Sequence, residues 1–433
     1  MFKRPVATIT LFLLPIIMLW VGLGILQLQG KGVDRIIWQA SMFSLVVLAY
    51  ALINYLLGFA GDRFLFPAVT CLLAFGLVVL VRINPELAQR QFWWATFGTA
   101  VAAISLWGLR DYRRLARYQY TWALIAVVLL VITTFFGVTT GGATSWLKFG
   151  FLSVEPEEPV KLIMIIFLAN YLKNNRELLS VGTVQVWRFS LPEPRILGPL
   201  AMMVGVSLML LAAQKSLGTA LVFYGVALFM VYLATEKGYY LLLGVPVFLA
   251  TGFLGYKLFQ HVQVRVEIWL NPWQSVYGNG SQIAQSLFAI GNGGLFGMGL
   301  GQGFGAVKIP AAETDFIFSV IAEEFGLIGA MGILLLFVLI IYRCFVIALK
   351  ANDEFGTILA GGLGLLFSFE ALIILAGVTK LLPLTGIPLP WVSYGGSSLL
   401  VHMFMVGCLS NISHISQCHS ITSQVKLGKG MAE

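Results

Sequence analysis

The sequence predicts an all-α, polytopic membrane protein, and three observations carry that prediction. Of its 433 residues 59% are hydrophobic and 11% charged, with a mean hydropathy of +0.89. No water-soluble globule built on one buried core has that composition. Apolar stretches of about 17 to 25 residues, the length that crosses about 30 Å of hydrocarbon as helix, recur along the chain. The alternation of a barrel strand is missing, so helices are what satisfies the backbone in lipid.

Twelve such stretches lie near residues 9–28, 36–58, 64–83, 92–109, 120–138, 158–174, 196–213, 217–235, 238–259, 316–348, 356–379 and 392–414. The first follows Lys3 and Arg4, as a signal peptide would. It is too long and lacks a small-x-small exit, so it is expected to remain as the first span. In a twelve-span chain Lys3 and Arg4, the cluster Arg110, Arg113, Arg114 and Arg117, and then Lys173, Arg176, Arg188 and Arg195 share one side. The positive-inside rule makes that side cytoplasmic. Both termini then lie in the cytoplasm, while the loop 139–157, the segment 380–391 and the long stretch 260–315 face outward. The formal charge of +8 resides largely in the basic loops, where anionic lipid headgroups are the available partner. It carries no nucleic-acid signal.

Cys71, Cys344, Cys408 and Cys418 sit in or beside spans or in the tail, without CxxC spacing, which argues against a disulfide framework and a cysteine metal site. His261, His402, His414 and His419 are too scattered for a zinc motif. No metal ligands are assigned; no cofactor is read with certainty, and a divalent cation is left open. There is no strong internal repeat. The polar insert 173–195 and the tail after about 415 read as linkers or docking surfaces. The expected divisions are a helix pair at 1–63, a membrane core at 64–415 carrying the outer loop 260–315, and a cytoplasmic tail at 416–433.

The outer loop combines a short apolar stretch, Ile283 to Ile290, with a glycine-dense tract from Gly291 to Gly305. Glycines let a backbone turn tightly and approach a ligand closely. Composition alone gives a flexible loop, and the absence of GxGxxG spacing in a strand-helix context excludes a dinucleotide-type phosphate loop. Just beyond it, "PAAETDFIFSVIAEEFG" (310–326) sets Glu313 and Asp315 on the threshold of an apolar run.

That Thr-Asp-Phe-Ile-Phe stretch resembles the corresponding motif of the SEDS proteins (FtsW, RodA and SpoVE), the shape, elongation, division and sporulation family. Three more segments resemble the family in the expected order. "GGATSWLKFGFLSVEPEEPVKL" is similar to its Gly-Ala-x-x-Trp and Gln-Pro-Ser-Glu-x-x-Lys pattern, "SLGTALVF" to its Asp-Leu-Gly-Thr segment, and "LPLTGIPLPWVSYGGSS" to its C-terminal signature. The resemblance spans about 140 to 412, and the first two spans look like an N-terminal addition carried by some FtsW-like members. It implies a peptidoglycan glycosyltransferase that joins lipid II units by β-1,4 transfer outside the bacterial cytoplasmic (inner) membrane, releasing undecaprenyl pyrophosphate. It also implies a class B penicillin-binding protein as partner, whose transpeptidase crosslinks the strands. Carried over by motif, the essential acid is Asp315. Substrate-binding positions are Trp146, Glu158, Lys161, Arg265, Gln285, Ser286, Thr314, Ser393, Tyr394, Gly395, Gly396 and Ser397, with Pro390 in the same signature.

The residues themselves leave alternatives beside these roles. Glu158 and Lys161, three apart at the head of a helix, share a face and pair, either to order the bundle or to let Lys161 hold a pyrophosphate. Trp146 near Lys148 is an interfacial anchor or a substrate contact. The prolines and glycines of the signature break a helix at membrane depth, which suits a cavity wall. Asp315 is a general base or a helix cap. Departures from the family pattern are Ser216 for Asp, Glu313 for His, Asn271 for Asp before Pro272, and Glu155 and Glu157 for Gln and Ser. Two other readings are therefore carried: a lipid II flippase or other transporter, and a weakened paralogue acting as a scaffold. Charges clustered toward the outer half, without a repeat, favour the enzyme over a transporter.

Overall fold

The computed structural model describes residues 5–140, 143–149, 152–180, 184–186, 189–191, 193–278 and 280–430. Every expected span coincides with a helix. In chain order these are α1 (Pro5–Leu28), α2 (Ile37–Leu56), α3 (Leu65–Ile83), α4 (Pro85–Gly108), α5 (Gln119–Phe136), α6 (Glu157–Ser180), α7 (Pro194–Ala213), α8 (Leu217–Thr235) and α9 (Tyr239–Leu258). The stretch 260–315 is largely helical too, with α10 (Gln260–Leu270), α11 (Ser281–Gly293) and α12 (Gly305–Lys308). The chain then runs through α13 (Ile317–Leu349), α14 (Glu354–Val378) and α15 (Gly396–Gly430). Among the described residues ten helices are long and apolar enough to cross a membrane. The other two expected spans, α4 and α6, are as long but more polar: α4 carries Arg90, Gln89 and Gln91, and α6 carries Glu157, Glu158, Lys161 and Lys173. The chain is a multi-pass membrane protein.

Contacts divide it into two units. The first comprises residues 1–110, 264–343 and 370–433. Its centre is α3, apolar all round and buried almost throughout. Ion pairs hold α13 antiparallel to α3 at both ends: Arg82 Nε meets Glu324 at 3.2 Å and Arg343 Nε meets Asp62 at 2.7 Å. Helices α4 and α15 approach closely because small residues meet there: a Cβ on Gly407 would clash with Ser105 Oγ and the Ala102 carbonyl.

The glycine tract is an ordered lock in this unit. Helix α13 is broken at Gly326, whose φ of 65° favours glycine. The break frees backbone groups that lipid would leave unsatisfied. The tract takes them up: Met298 and Gly299 amides donate to the Glu323 and Glu324 carbonyls, and Leu327 and Ile328 amides donate to Gly294 and Leu295. The two carboxylates complete it, Glu323 accepting from the Gly305 amide at 2.6 Å and Glu324 from the Gly301 amide at 2.9 Å. Packing also explains the glycines, since a Cβ on Gly293 or Gly297 would strike the α13 backbone.

The second unit comprises residues 111–263 and 344–369. Between α5 and α6, strands β1 (Val138–Thr140), β2 (Ala143–Phe149) and β3 (Leu152–Val154) form a small antiparallel sheet in which Trp146 faces Val138 across the register. In the insert 173–195, β4 (Val184–Val186) and β5 (Phe189–Leu191) form a hairpin. Its residues 181–183, 187, 188 and 192, like 431–433 of the tail, lie outside the described residues. Asp353 caps α14 through the Gly356 amide and accepts from Arg113 and Tyr112. Arg176 bridges Glu236 and Glu354. Helix α9 buries no residue.

Candidate active site

Asp315 sits in the turn before α13. The cap position falls on Phe316, whose carbonyl accepts the Ser319 and Val320 amides, so the carboxylate stands one residue outside the helix. Its surroundings are Thr314, Glu313 and Arg265 from α10. Partial burial pushes its pKa up to about 6; the Thr314 hydroxyl and the Arg265 guanidinium pull it back, and Glu313 adds to the rise. Burial draws Arg265 below the usual arginine range while Asp315 opposes that shift, and the guanidinium stays cationic.

Asp315 and Arg265 form no ion pair among the described residues; Gly386 accounts for the space they face. A Cβ there would lie 3.6 Å from Asp315 Oδ2 and 3.9 Å from an Arg265 nitrogen, and the φ of 73° is one that glycine tolerates. Glycine therefore keeps the acid and the cation accessible to a third group. Arg265 is oriented by its bond to the Thr385 carbonyl at 3.2 Å.

The signature after α14 is non-helical from 379 to 395, as its prolines and glycines predict, and it is stitched to the acid's own segment. Ser393 Oγ donates to the Thr314 carbonyl at 2.6 Å and accepts from the Leu389 amide, while the Tyr394 amide donates to the Glu313 carbonyl at 2.8 Å. Gln91, buried in α4, bonds the Ser393 carbonyl and the Gly395 amide. Gly396 packs flat against the Trp94 ring, where a Cβ would not fit. Asp315, Arg265, Thr314 and the stretch 393–396 thus converge.

Five expected residues take other positions. Ser286 is fully buried, bonded to Ser319 Oγ at 2.7 Å and to the Val378 carbonyl, which makes it a tie between α11, α13 and α14. Gln285 lines a cavity of about 300 Å³ together with Asn292, Lys308, Glu323, Phe288 and Phe304. Trp146, Glu158 and Lys161 belong to the second unit. There Lys161 Nζ lies 2.9 Å from Glu158 Oε2, both side chains buried.

Sequence reasoning missed Gln91, Gly386 and the acids Glu323 and Glu324. The last two carried a usable signal, since paired carboxylates inside an apolar run require partners. Gly386 was legible only as one helix breaker of the signature, and Gln91 carried no signal. No disulfide joins the cysteines among the described residues; Cys71, Cys344 and Cys408 are buried and Cys418 is exposed.

The profile of the FtsW/RodA/SpoVE cell cycle proteins matches residues 63–418. The peptidoglycan glycosyltransferase RodA of Mycobacterium bovis is 36% identical over 367 residues, covering 82% of this chain and 78% of the relative. The stage V sporulation protein E of Bacillus subtilis is 35% identical over 337 residues, covering 76% of this chain and 87% of the relative. A solved chain from a peptidoglycan synthase complex, described as coordinating polymerization and crosslinking, superposes with a TM-score of 0.70 at 26% identity, over 82% of this chain and 98% of that one. The rod shape determining protein RodA of Thermus thermophilus superposes with a TM-score of 0.57 at 26% identity, over 83% and 97%. The profile match, which spans most of the chain, places this chain in the FtsW/RodA/SpoVE (SEDS) family.

Proposed function

We propose that this chain is a peptidoglycan glycosyltransferase that polymerises lipid II into β-1,4-linked glycan strands at the outer face of the bacterial cytoplasmic membrane, with Asp315 as general base. The observation that supports this reading best is the unpaired Asp315 carboxylate facing Arg265 across the space Gly386 leaves open. In the reaction an acceptor sugar hydroxyl bonds to the donor's anomeric carbon as the bond from that carbon to the diphosphate breaks. The hydroxyl proton passes to Asp315 and the bonding pair departs with undecaprenyl pyrophosphate. A hydroxyl is a poor nucleophile until that proton is removed, and a base with a pKa of about 6 is ionised and still basic at neutral pH. Arg265 supplies positive charge beside the reacting groups. Thr314, Ser393, Tyr394, Gly395, Gly396 and Ser397 shape the wall, Gln285 and Ser286 hold the α11 side, and Trp146, Glu158 and Lys161 are the second unit's substrate contacts.

The experiment is polymerisation of purified lipid II by the wild type and by Asp315→Asn, with lipid translocation in vesicles measured in parallel. Strands from the wild type alone support the reading. Translocation without strands makes the chain a flippase, and neither activity makes it a scaffold.

The chain's partner, on this reading, is a class B penicillin-binding protein, expected to co-purify at native levels. Both termini are cytoplasmic. With Cys418 replaced by serine, a lone exposed cysteine at Lys308 should react with a membrane-impermeant reagent in intact cells, and one at Arg114 should not; the reverse pattern overturns this orientation.

A further inference from the structure

Two of the departures from the family pattern meet in space. Ser216, where the pattern has Asp, donates its hydroxyl to Oε2 of Glu157, where the pattern has Ser, at 2.6 Å. Both belong to the second unit: Glu157 opens α6 and Ser216 immediately precedes α8. The Glu157 carboxylate is 2% exposed, and its other oxygen has no hydrogen-bond partner. The other polar groups facing it are the Thr219 and Ser145 hydroxyls and the Lys161 ammonium. Ser216 also reaches Thr219 Oγ1 at 3.0 Å.

We propose that Glu157 and Ser216 are a transposed acid–hydroxyl pair, in which this chain carries on α6 the single carboxylate that the family pattern carries before α8, and that the pair positions Lys161. A charge buried this deeply persists only with partners, and one hydroxyl donating to one carboxylate satisfies both wherever each is attached. Two hydroxyls leave Lys161 with Glu158 alone and remove the second buried acid that faces it here; two carboxylates at hydrogen-bond distance repel. Either helix can therefore carry the acid, but one of them must. The two departures are one compensated change, so restoring Ser216→Asp alone should do harm.

The test is a four-member cycle of wild type, Glu157→Ser, Ser216→Asp and the double variant, read by lipid II kinetics and thermal melting in detergent. Each single change is expected to raise KM for lipid II about tenfold, the scale of one charged hydrogen bond, while kcat holds within about threefold. The double variant is expected to bring KM back to within about threefold of wild type and to recover the melting temperature. Additive losses in the double variant, or singles indistinguishable from wild type, overturn the proposal. The kinetic arm rests on the glycosyltransferase reading; the melting arm does not. A wild type that makes no strands defeats that reading while the melting cycle still decides the pair.

Discussion

Asp315 and Glu158 are acids, one in each unit, each facing a basic residue, and the two sites are built in opposite ways. Glu158 is buried and touches Lys161 at 2.9 Å, so its charge is neutralised in place. Asp315 keeps part of its surface exposed, and it forms no ion pair with Arg265 among the described residues. A carboxylate in contact with an ammonium has its hydrogen-bonding capacity taken up by that partner. One raised toward neutrality and left accessible can take a proton. On the proposed function, the contrast fits proton transfer in the first unit and charge placement in the second.

The contrast is broken most severely at Asp315. Asp315→Asn keeps shape but removes the base, and glycan synthesis should fall by roughly 10²–10⁴ with membrane insertion and melting unchanged. Near-normal strands from that variant would end its role as a base. Glu158→Gln should show first in stability, since it removes the acid that touches the buried Lys161 at 2.9 Å. Breaking such a pair costs about 3–5 kcal/mol, read as a large drop in melting temperature. Gly386→Ala should lie between the two, lowering kcat about tenfold by filling the space beside Asp315 and forcing a positive φ on alanine. An unaffected rate would show that the space is not used.

The pH dependence sharpens the comparison with the smallest effects. The active form of Asp315 is ionised, so kcat/KM should rise with pH and level off above about 6, falling tenfold per unit below it. Arg265 lowers this pKa, so Arg265→Gln should move the acid limb to higher pH. Glu313 raises it, so Glu313→His should move the limb to lower pH. Limbs that stay fixed in both variants would assign the titration to another group.

Much of the site was legible because it lies in contiguous motifs. Asp315, Thr314, Ser393 and Tyr394 could be named from sequence, and the structure binds those two segments together. Ser286 was legible as important but not as a buried tie, because a serine's partners lie 33 and 92 positions away. The glycine tract read as flexible because composition reports backbone freedom and cannot report what removes it. Here the carbonyls and carboxylates of Glu323 and Glu324 do so.

By itself the sequence determined that the chain is helical and crosses the membrane many times, since hydrocarbon leaves the backbone no other solution and apolar length is a local property. It also determined where helices must break, at the prolines and glycines of the signature. Burial was decided by tertiary structure. Helices α3 and α9 are both long and apolar, yet α3 is buried almost throughout and α9 not at all. Lipid tails are as apolar as leucine, so hydropathy cannot separate a helix that faces lipid from one that faces protein. Only packing also decided that Ser216 answers Glu157, because a hydrogen bond between residues 59 apart is a fact of three dimensions.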